Sequence, residues 1–386
     1  MRIAHYADSL WSSGGVATYV RQLATRQAAR GHEIVFFGLP SSDSATPSLP
    51  DGPFSFVELS AEADLYPAAQ ASTVDVLHLH KPVWHLPPDG LTTVRTMHDN
   101  TASCPSGSRY LARTGMPCPR LAGAGCVVGH LIDGCGSRRP QKMWAHADRY
   151  RAERRIASAL PTIAVSQYVK DEMVRAGYNA DGIIVVHSPA PNRSRPLPFS
   201  RTHVPRFLFL GRVVPEKGLA WLLRAVAAAP VPIHLDVAGD GYALADAREA
   251  CDALGIGTRV AFHGWVAPNG IDALLANARA VVVPSLWHEP AGLVTLEAAA
   301  AGRAVVGSRV GGIPEYARPE FALLAEPNDT DGLASLLTRL AVDAPLAHQM
   351  GHAAYEVSQR VFSLDQFVDA VEAVYDRAIQ STHLPI

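Results

Sequence analysis

Two carboxylates, Glu289 and Glu297, stand with seven residues between them in the segment Ser285–Glu315. Glu289 falls in a Pro/Gly loop just after the apolar run Ala280-Val281-Val282-Val283. Glu297 falls within LVTLEAAAA, a run of strong helix formers that ends at Gly302. A buried strand therefore leads through a loop into a helix that carries a carboxylate about one turn in. The unpaired N–H groups of that helix start lie beside both acids. A phosphate fits the amides and is repelled by the acids, so the acids face something else. Ionised carboxylates only accept hydrogen bonds, and hydroxyls donate them. A sugar ring and a ribose diol are the natural partners, and the whole is a layout for a nucleotide sugar.

Arg212 and Lys217 follow the apolar run Phe207–Leu210. Arg and Lys are usually solvated surface cations. Here they follow a strand's carboxyl end, where cations stabilise the charge left on a departing diphosphate. Gly14-Gly15 opens the helical stretch Val16–Arg30 and lets a diphosphate approach backbone amides. The pattern is not G-x-G-x-x-G, so a nicotinamide cofactor is not indicated. His98-Asp99-Asn100 follows the strand Val94–Met97, which points His98 into a cleft and places Asp99 and Asn100 on the acceptor side. His78 and His80 alternate on one strand face at a spacing that suits a metal. They read first as packing residues.

Short apolar runs alternate with amphipathic stretches along the chain. Strands are expected at 2–6, 33–38, 54–59, 75–80, 94–97, 162–166 and 183–187, then at 207–210, 233–238, 260–264, 281–284, 304–307 and 321–324. Helices are expected at 16–30, 168–176, 219–229, 244–254, 271–278, 293–301, 331–340 and 364–379. That alternation predicts an α/β fold of two Rossmann-like units with parallel sheets and right-handed crossovers. The 386 residues suit two domains. The proline-rich stretch Pro191–Pro198 is the expected linker, giving an acceptor-side unit at 1–192 and a nucleotide-sugar unit at 199–363, with a final helix in 364–386.

A net charge of −2 gives no support for a nucleic-acid partner. The start, MRIAHYADSLWSSGG, has an apolar stretch too short for a secretion signal, and no run of eighteen apolar residues appears. A cytoplasmic location is the expectation. Of five cysteines, Cys104, Cys118, Cys126 and Cys135 fall in a Gly/Pro-rich insertion near 101–140. Four thiols are enough for a tetrahedral zinc site, but C-x-x-C pairs are missing. Reduced, partly buried thiols are the first reading, structural zinc the alternative, and no metal is required. Arg138, Arg139, Lys142, Arg149, Arg151, Arg154 and Arg155 form a basic stretch with Trp144 and Tyr150. It reads as a solvated helix face, with peripheral contact to anionic lipid as the alternative.

Glu289 to Glu297 resembles the E-x7-E signature of glycosyltransferase family 4, the retaining GT-B enzymes. The resemblance runs through Gly14-Gly15, Gly211-Arg212, Glu216-Lys217-Gly218, Gly239-Asp240-Gly241, Phe262-His263-Gly264, Gly302, Gly311-Gly312 and Glu315, in that order. The start of the insertion, HDNTASCPSGSRY, is similar to a subgroup with a Cys-containing loop after the His-Asp pair. The resemblance implies a GT-B fold whose last helix crosses back to the first domain. It also implies transfer of a sugar, with retention, from a nucleoside-diphosphate sugar, UDP by default, to a hydroxyl of unknown identity. Arg212 and Lys217 then bind the diphosphate, Glu289 and His98 the donor sugar, and Glu297 the ribose. Gly14, Gly15, Gly239, Gly241, Gly264 and the amides of Ala291, Gly292 and Leu293 complete the donor site. Ala291 departs from the bulky aromatic usual there and leaves room near the donor sugar. A regulator that binds the nucleotide sugar without turnover, and a GT-B epimerase or phosphorylase, are the rival readings.

Overall fold

The computed structural model describes residues 1–7, 14–39, 52–199 and 204–383. Two parallel sheets dominate it. In space the first runs Phe54–Glu58, Glu33–Gly38, Arg2–Tyr6, Val76–Leu79, Thr93–Met97, Thr162–Ala164, Ile183–Val185. The second runs Val260–Gly264, His234–Ala238, Arg206–Leu210, Ala280–Val283, Ala304–Ser308, Ala322–Ala325. Central strands are apolar on both faces because helices cover both, as in Ala280–Val283, where every residue is buried. In each sheet the strand order reverses beside the first strand, Arg2–Tyr6 or Arg206–Leu210. Open parallel sheets bind ligands at the carboxyl ends of strands at such a point. The chain leaves those ends into Gly14-Gly15, His98, Arg212 and the loop Ser285–Glu289.

Every expected strand and helix is present, with ends moved by a few residues. Helices Leu65–Ala71 and Ala344–Arg360 and a small hairpin, Tyr110–Leu111 with Met116–Pro117, were not anticipated, while the basic stretch forms the expected helix, Pro140–Ala159. Pro140–Ala159 buries only Ala152, Glu153, Ile156 and Ala157, a stripe too short to read beneath its charged residues. Glu153 is not part of the solvated face. Its carboxylate takes a 3.0 Å hydrogen bond from the fully buried Arg95 of strand Thr93–Met97. The insertion is fastened likewise: buried Arg109 pairs with Glu172 of helix Gln167–Arg175.

The chain crosses between the two units twice. On the way out, the linker is tied to the second unit. Buried Arg303 donates to the carbonyls of Leu197 (3.1 Å) and Pro198 (2.6 Å), and Arg193 pairs with Asp272. On the way back, Phe362 accepts a 2.8 Å bond from the Ala190 amide, so the crossings lie side by side. The final helix, Leu364–His383, then lies on the first unit, where Glu372 meets Arg30 at 2.9 Å and Tyr375 meets His78 at 2.6 Å. Between the units, the Glu315 carboxylate accepts from the amides of Gln167 (2.6 Å) and Tyr168 (2.7 Å), capping a helix of the first unit.

Candidate active site

A cavity of about 560 Å3 opens between the sheets. Gly14, Gly15 and His98 line it from the first unit. Arg212, Lys217, Glu289, Ala291, Gly292, Leu293 and Glu297 line it from the second. Gly292, in the left-handed conformation, turns the loop into helix Leu293–Ala300, and no side chain caps that helix. Its first N–H groups therefore stand open at the cavity, with the positive end of the helix dipole behind them.

Lys217 and Glu289 meet rather than standing apart. Lys217 Nζ lies 2.5 Å from Glu289 Oε1, which also accepts from Ser285 Oγ at 2.7 Å. Burial pushes the Glu289 pKa up, but the charge and hydrogen bonds of Lys217 and the Ser285 hydroxyl outweigh it and hold the carboxyl below the usual glutamate range. The Lys217 ammonium also lies 5.3 Å from the Trp287 ring centre. Lys217 thus pairs with Glu289, since a buried carboxylate demands a partner, and it also lines the cavity. Arg212, in contrast, is exposed and has no ion pair among the described residues. Glu297 is exposed at the cavity wall, yet neighbouring protein strips enough water from its carboxyl to matter. The lost hydration raises its pKa, with Arg193 pulling the other way.

His98 is half-buried on the cavity wall, with the Tyr19 ring edge-on at 4.6 Å and its Nε2 3.1 Å from His80 Nδ1. Burial, helped by the charge of Arg95, pushes His98 down to about 3, so the imidazole is neutral at ordinary pH. Thr18, Tyr19 and Gln22 also line the cavity and were missed. They share one face of the helix opened by Gly14-Gly15, and that i, i+1, i+4 spacing was the available signal.

Five candidates lie outside the cavity lining. The Asp99 carboxylate accepts from the Thr101 amide at 2.8 Å and closes its own turn. Asn100 is buried and donates to the His288 carbonyl at 2.8 Å, joining the units instead of offering itself to an acceptor. A Cβ on Gly239 would stand 1.8 Å from the Gly211 carbonyl oxygen, and one on Gly241 2.2 Å from that of Val213. These glycines let one loop press against the backbone that carries Arg212. Gly264 accepts from the Gly239 amide at 2.7 Å and supports the same contact.

Cys104, Cys118, Cys126 and Cys135, all free, surround a second cavity of about 20 Å3 with Arg109, Arg120 and His130. Burial, with the neighbouring thiols, pushes Cys135 up to about 11 and raises Cys126, so these two are protonated thiols at neutral pH. Among the described residues, the three-residue group close enough to hold a metal is His5, His78 and His80, all buried. Their ring nitrogens are all taken by hydrogen bonds to Gln27, Tyr375, Thr96, His98 and one another.

No helix among the described residues is long and apolar enough to cross a membrane. The family model described as Glycosyl transferases group 1 matches residues 194–357, and that described as Glycosyltransferase Family 4 matches 13–192. The chain is 30% identical over 275 residues to the uncharacterized glycosyltransferase YqgM of Bacillus subtilis, covering 69% of this chain and 72% of that one. It is 32% identical to the uncharacterized glycosyltransferase MJ1607 of Methanocaldococcus jannaschii, covering 45% of each chain. It is 36% identical to the D-inositol 3-phosphate glycosyltransferase of Mycolicibacterium paratuberculosis, covering 45% of this chain and 40% of that one. The chain thus spans less than half the length of these last two relatives. Among solved structures, sucrose-phosphate synthase from Thermosynechococcus elongatus superposes with a TM-score of 0.77 at 20% identity, covering 98% of this chain and 99% of that one. Anabaena HepE, solved with UDP-glucose, superposes with a TM-score of 0.67 at 17% identity, covering 97% of this chain and all of that one. Two parallel sheets facing a cleft, and relatives matched along both halves, make this chain a member of the family 4, group 1 glycosyltransferases, with the GT-B fold.

Proposed function

We propose that the chain transfers a sugar from a nucleoside-diphosphate sugar, UDP-linked in the first instance, to an acceptor hydroxyl with retention at the anomeric carbon. The observation that carries this reading is one cavity that holds Arg212, a cation with no ion pair among the described residues, together with an uncapped helix start and the two acids Glu289 and Glu297. Amides and cation suit a diphosphate; the acids suit hydroxyls. HepE, a protein of similar fold, was solved with UDP and with UDP-glucose. The leaving diphosphate takes the proton of the incoming hydroxyl on the same face of the sugar, so the protein supplies position and electrostatic stabilisation. No metal is needed for this, and the four cysteines act as packing thiols.

A thermal-shift screen of nucleotide sugars tests the reading. A donor at 100 times its dissociation constant stabilises by about 2.7 kcal/mol, and EDTA leaves the resulting turnover unchanged. Binding without transfer or slow donor hydrolysis marks a regulator instead, and stabilisation by no nucleotide sugar removes the proposal. Glu297→Gln separates roles within the site. Glu297 reads ribose, which does not react, so this variant raises the Michaelis constant for donor more than it lowers turnover. An equal fall in turnover assigns Glu297 to the reacting sugar.

A specific surface favours peripheral contact with an anionic membrane. Val127, Val128, Leu131 and Ile132 stand about half exposed on consecutive turns of the insertion, at 51%, 47%, 50% and 51%. Exposed Arg138, Arg139, Lys142 and Trp144 follow at the next helix. Apolar side chains ringed by cations suit the headgroup boundary of anionic lipid. Sedimentation with phosphatidylglycerol vesicles is expected to carry the protein down, and Leu131→Asp with Ile132→Asp to release it. Equal recovery with phosphatidylcholine vesicles, or none with either, overturns this.

A further inference from the structure

A line of four side chains runs from the cavity into the first unit. His98 Nε2 lies 3.1 Å from His80 Nδ1, His80 Nε2 3.0 Å from His5 Nδ1, and His5 Nε2 2.9 Å from Gln27 Oε1. His98 comes from the end of one strand, His80 follows the next, His5 lies in the first, and Gln27 sits on helix Gly15–Ala29. His5, His80 and Gln27 are buried, and His98 alone lines the cavity. Desolvation in this apolar bed keeps all three imidazoles neutral, pushing His5 down to about 4 and His80 well below its ordinary value.

A neutral imidazole has one nitrogen that donates and one that accepts. In a row of such rings the direction of any one hydrogen bond therefore dictates all the others. A line of imidazoles alone has no preferred direction, so an end group must choose. The Gln27 oxygen can only accept, so His5 Nε2 carries a proton and His5 Nδ1 is bare. His80 Nε2–H must then donate to His5, which leaves His80 Nδ1 bare, and His98 Nε2–H must donate to His80. His78 imposes no direction of its own, since its partners are the hydroxyls of Tyr375 and Thr96, which serve as donor or acceptor. Among the described residues the Gln27 Nε2 makes no hydrogen bond, so only the amide oxygen is engaged. Turning that amide over would reverse every bond in the row.

We propose that Gln27 is a positioning residue, which through His5 and His80 fixes His98 as the Nε2–H tautomer and leaves His98 Nδ1 as an acceptor for a ligand hydroxyl in the cavity. His98 makes no hydrogen bond through Nδ1 to the described residues. Its specificity then follows: the wall at His98 takes a group that donates and turns away one that only accepts. The ligand side of this inference rests on the nucleotide-sugar reading above; the tautomer itself does not.

The test has two independent parts. In the first, the full chain labelled with 15N-histidine and free of ligand is studied by long-range 1H–15N spectroscopy, with His98 assigned by its loss in His98→Phe. His98, His80 and His5 are expected to be protonated at Nε2 and bare at Nδ1. Gln27→Met, which removes the oxygen, turns His98 into a mixture of tautomers, and Gln27→Glu, which keeps an oxygen acceptor, retains Nε2–H. An Nδ1-protonated His98 in the unaltered protein overturns the proposal without any variant having to fold, and so does an unchanged tautomer in Gln27→Met. The second part is kinetic. Gln27→Met is expected to raise the Michaelis constant for the UDP-sugar about 5–10-fold, the scale of one hydrogen bond, while inhibition by UDP alone is unchanged, because UDP lacks the transferred sugar whose hydroxyl would meet His98. An equal loss for UDP and UDP-sugar reduces Gln27 to a structural role and overturns the positioning role. If UDP fails to bind the unaltered protein, the nucleotide-sugar reading falls while the tautomer assignment stands on its spectra.

Discussion

Arg212→Ala is expected to lower turnover by about 10²–10³, the scale of losing one group that stabilises charge in the transition state. The reason is its isolation. Lys217 is committed to Glu289, and among the described residues Arg212 has no ion pair, so its charge remains available to a departing diphosphate. The same isolation means the fold does not lean on it, so the thermal midpoint should hardly move. Arg212→Lys should recover only part of the loss, since an ammonium keeps the charge but not the planar fork that grips two phosphate oxygens at once. Steady-state rates at saturating donor and acceptor decide, and near-normal turnover in Arg212→Ala removes this residue from the mechanism.

Lys217→Met is expected to cost about 3 kcal/mol of stability at neutral pH, because removing one partner of a buried pair strands the other's charge. The stranded group is Glu289, which is only 7% exposed. Its pKa is held below the usual range while Lys217 is present. A carboxyl depressed in the folded state contributes stability above its unfolded pKa and loses it as pH falls through the folded one. In the unaltered protein that contribution is intact down to the ordinary glutamate range and is lost below it, as pH falls through the depressed folded-state pKa. In Lys217→Met only the hydrogen bonds from Ser285 and Trp287 remain to oppose burial, the pKa rises, and stability should instead improve as the solution is acidified from neutrality towards that range. Adding Glu289→Gln to Lys217→Met should restore most of the lost stability and flatten the pH dependence. Urea unfolding of the three proteins between neutral and mildly acid pH measures this, and a single variant as stable as the parent would show that Glu289 is not sealed as described. Turnover is low in both variants, since the proposed sugar contact is lost or misplaced.

Both sheets were legible because each central strand is a short apolar run bounded by turn residues, and helices such as Leu293–Ala300 are dense in strong formers. Helix Pro140–Ala159 was read as wholly solvated, because its buried stripe includes Glu153, which looks like a surface acid until Arg95 is found beneath it. Within the site, residue types and strand-end positions suffice to single out Arg212, Glu289 and Glu297. Pairing is a different matter. Lys217 and Glu289 lie 72 positions apart, and nothing local says that they touch. Asn100 shows the same limit: its place after His98 suggested an acceptor contact, whereas the partner is a carbonyl 188 positions away. Gly239 and Gly241 were assigned to the donor by the resemblance alone, whereas what they permit is the close approach of a neighbouring loop's backbone. The row ending at Gln27 was hidden for a related reason. His5, His80 and His98 stand on separate segments, and only sheet order brings them into line.

The two crossings between the units have a mechanical consequence. Arg303 makes the linker beyond Leu197 part of the second body, and the final helix belongs to the first, so little chain is free to bend. What remains runs through Ala190 and Phe362, joined to each other by a 2.8 Å hydrogen bond. Two adjacent strands of backbone tethered in this way resist sliding and tolerate turning, as hinges do. Any turning of the halves would therefore take this pair as its axis, and the ties of Asn100 to the His288 carbonyl and of Glu315 to the amides of Gln167 and Tyr168 would have to break or turn with it. A substitution at Ala190 or Phe362 would act on that axis without touching a ligand.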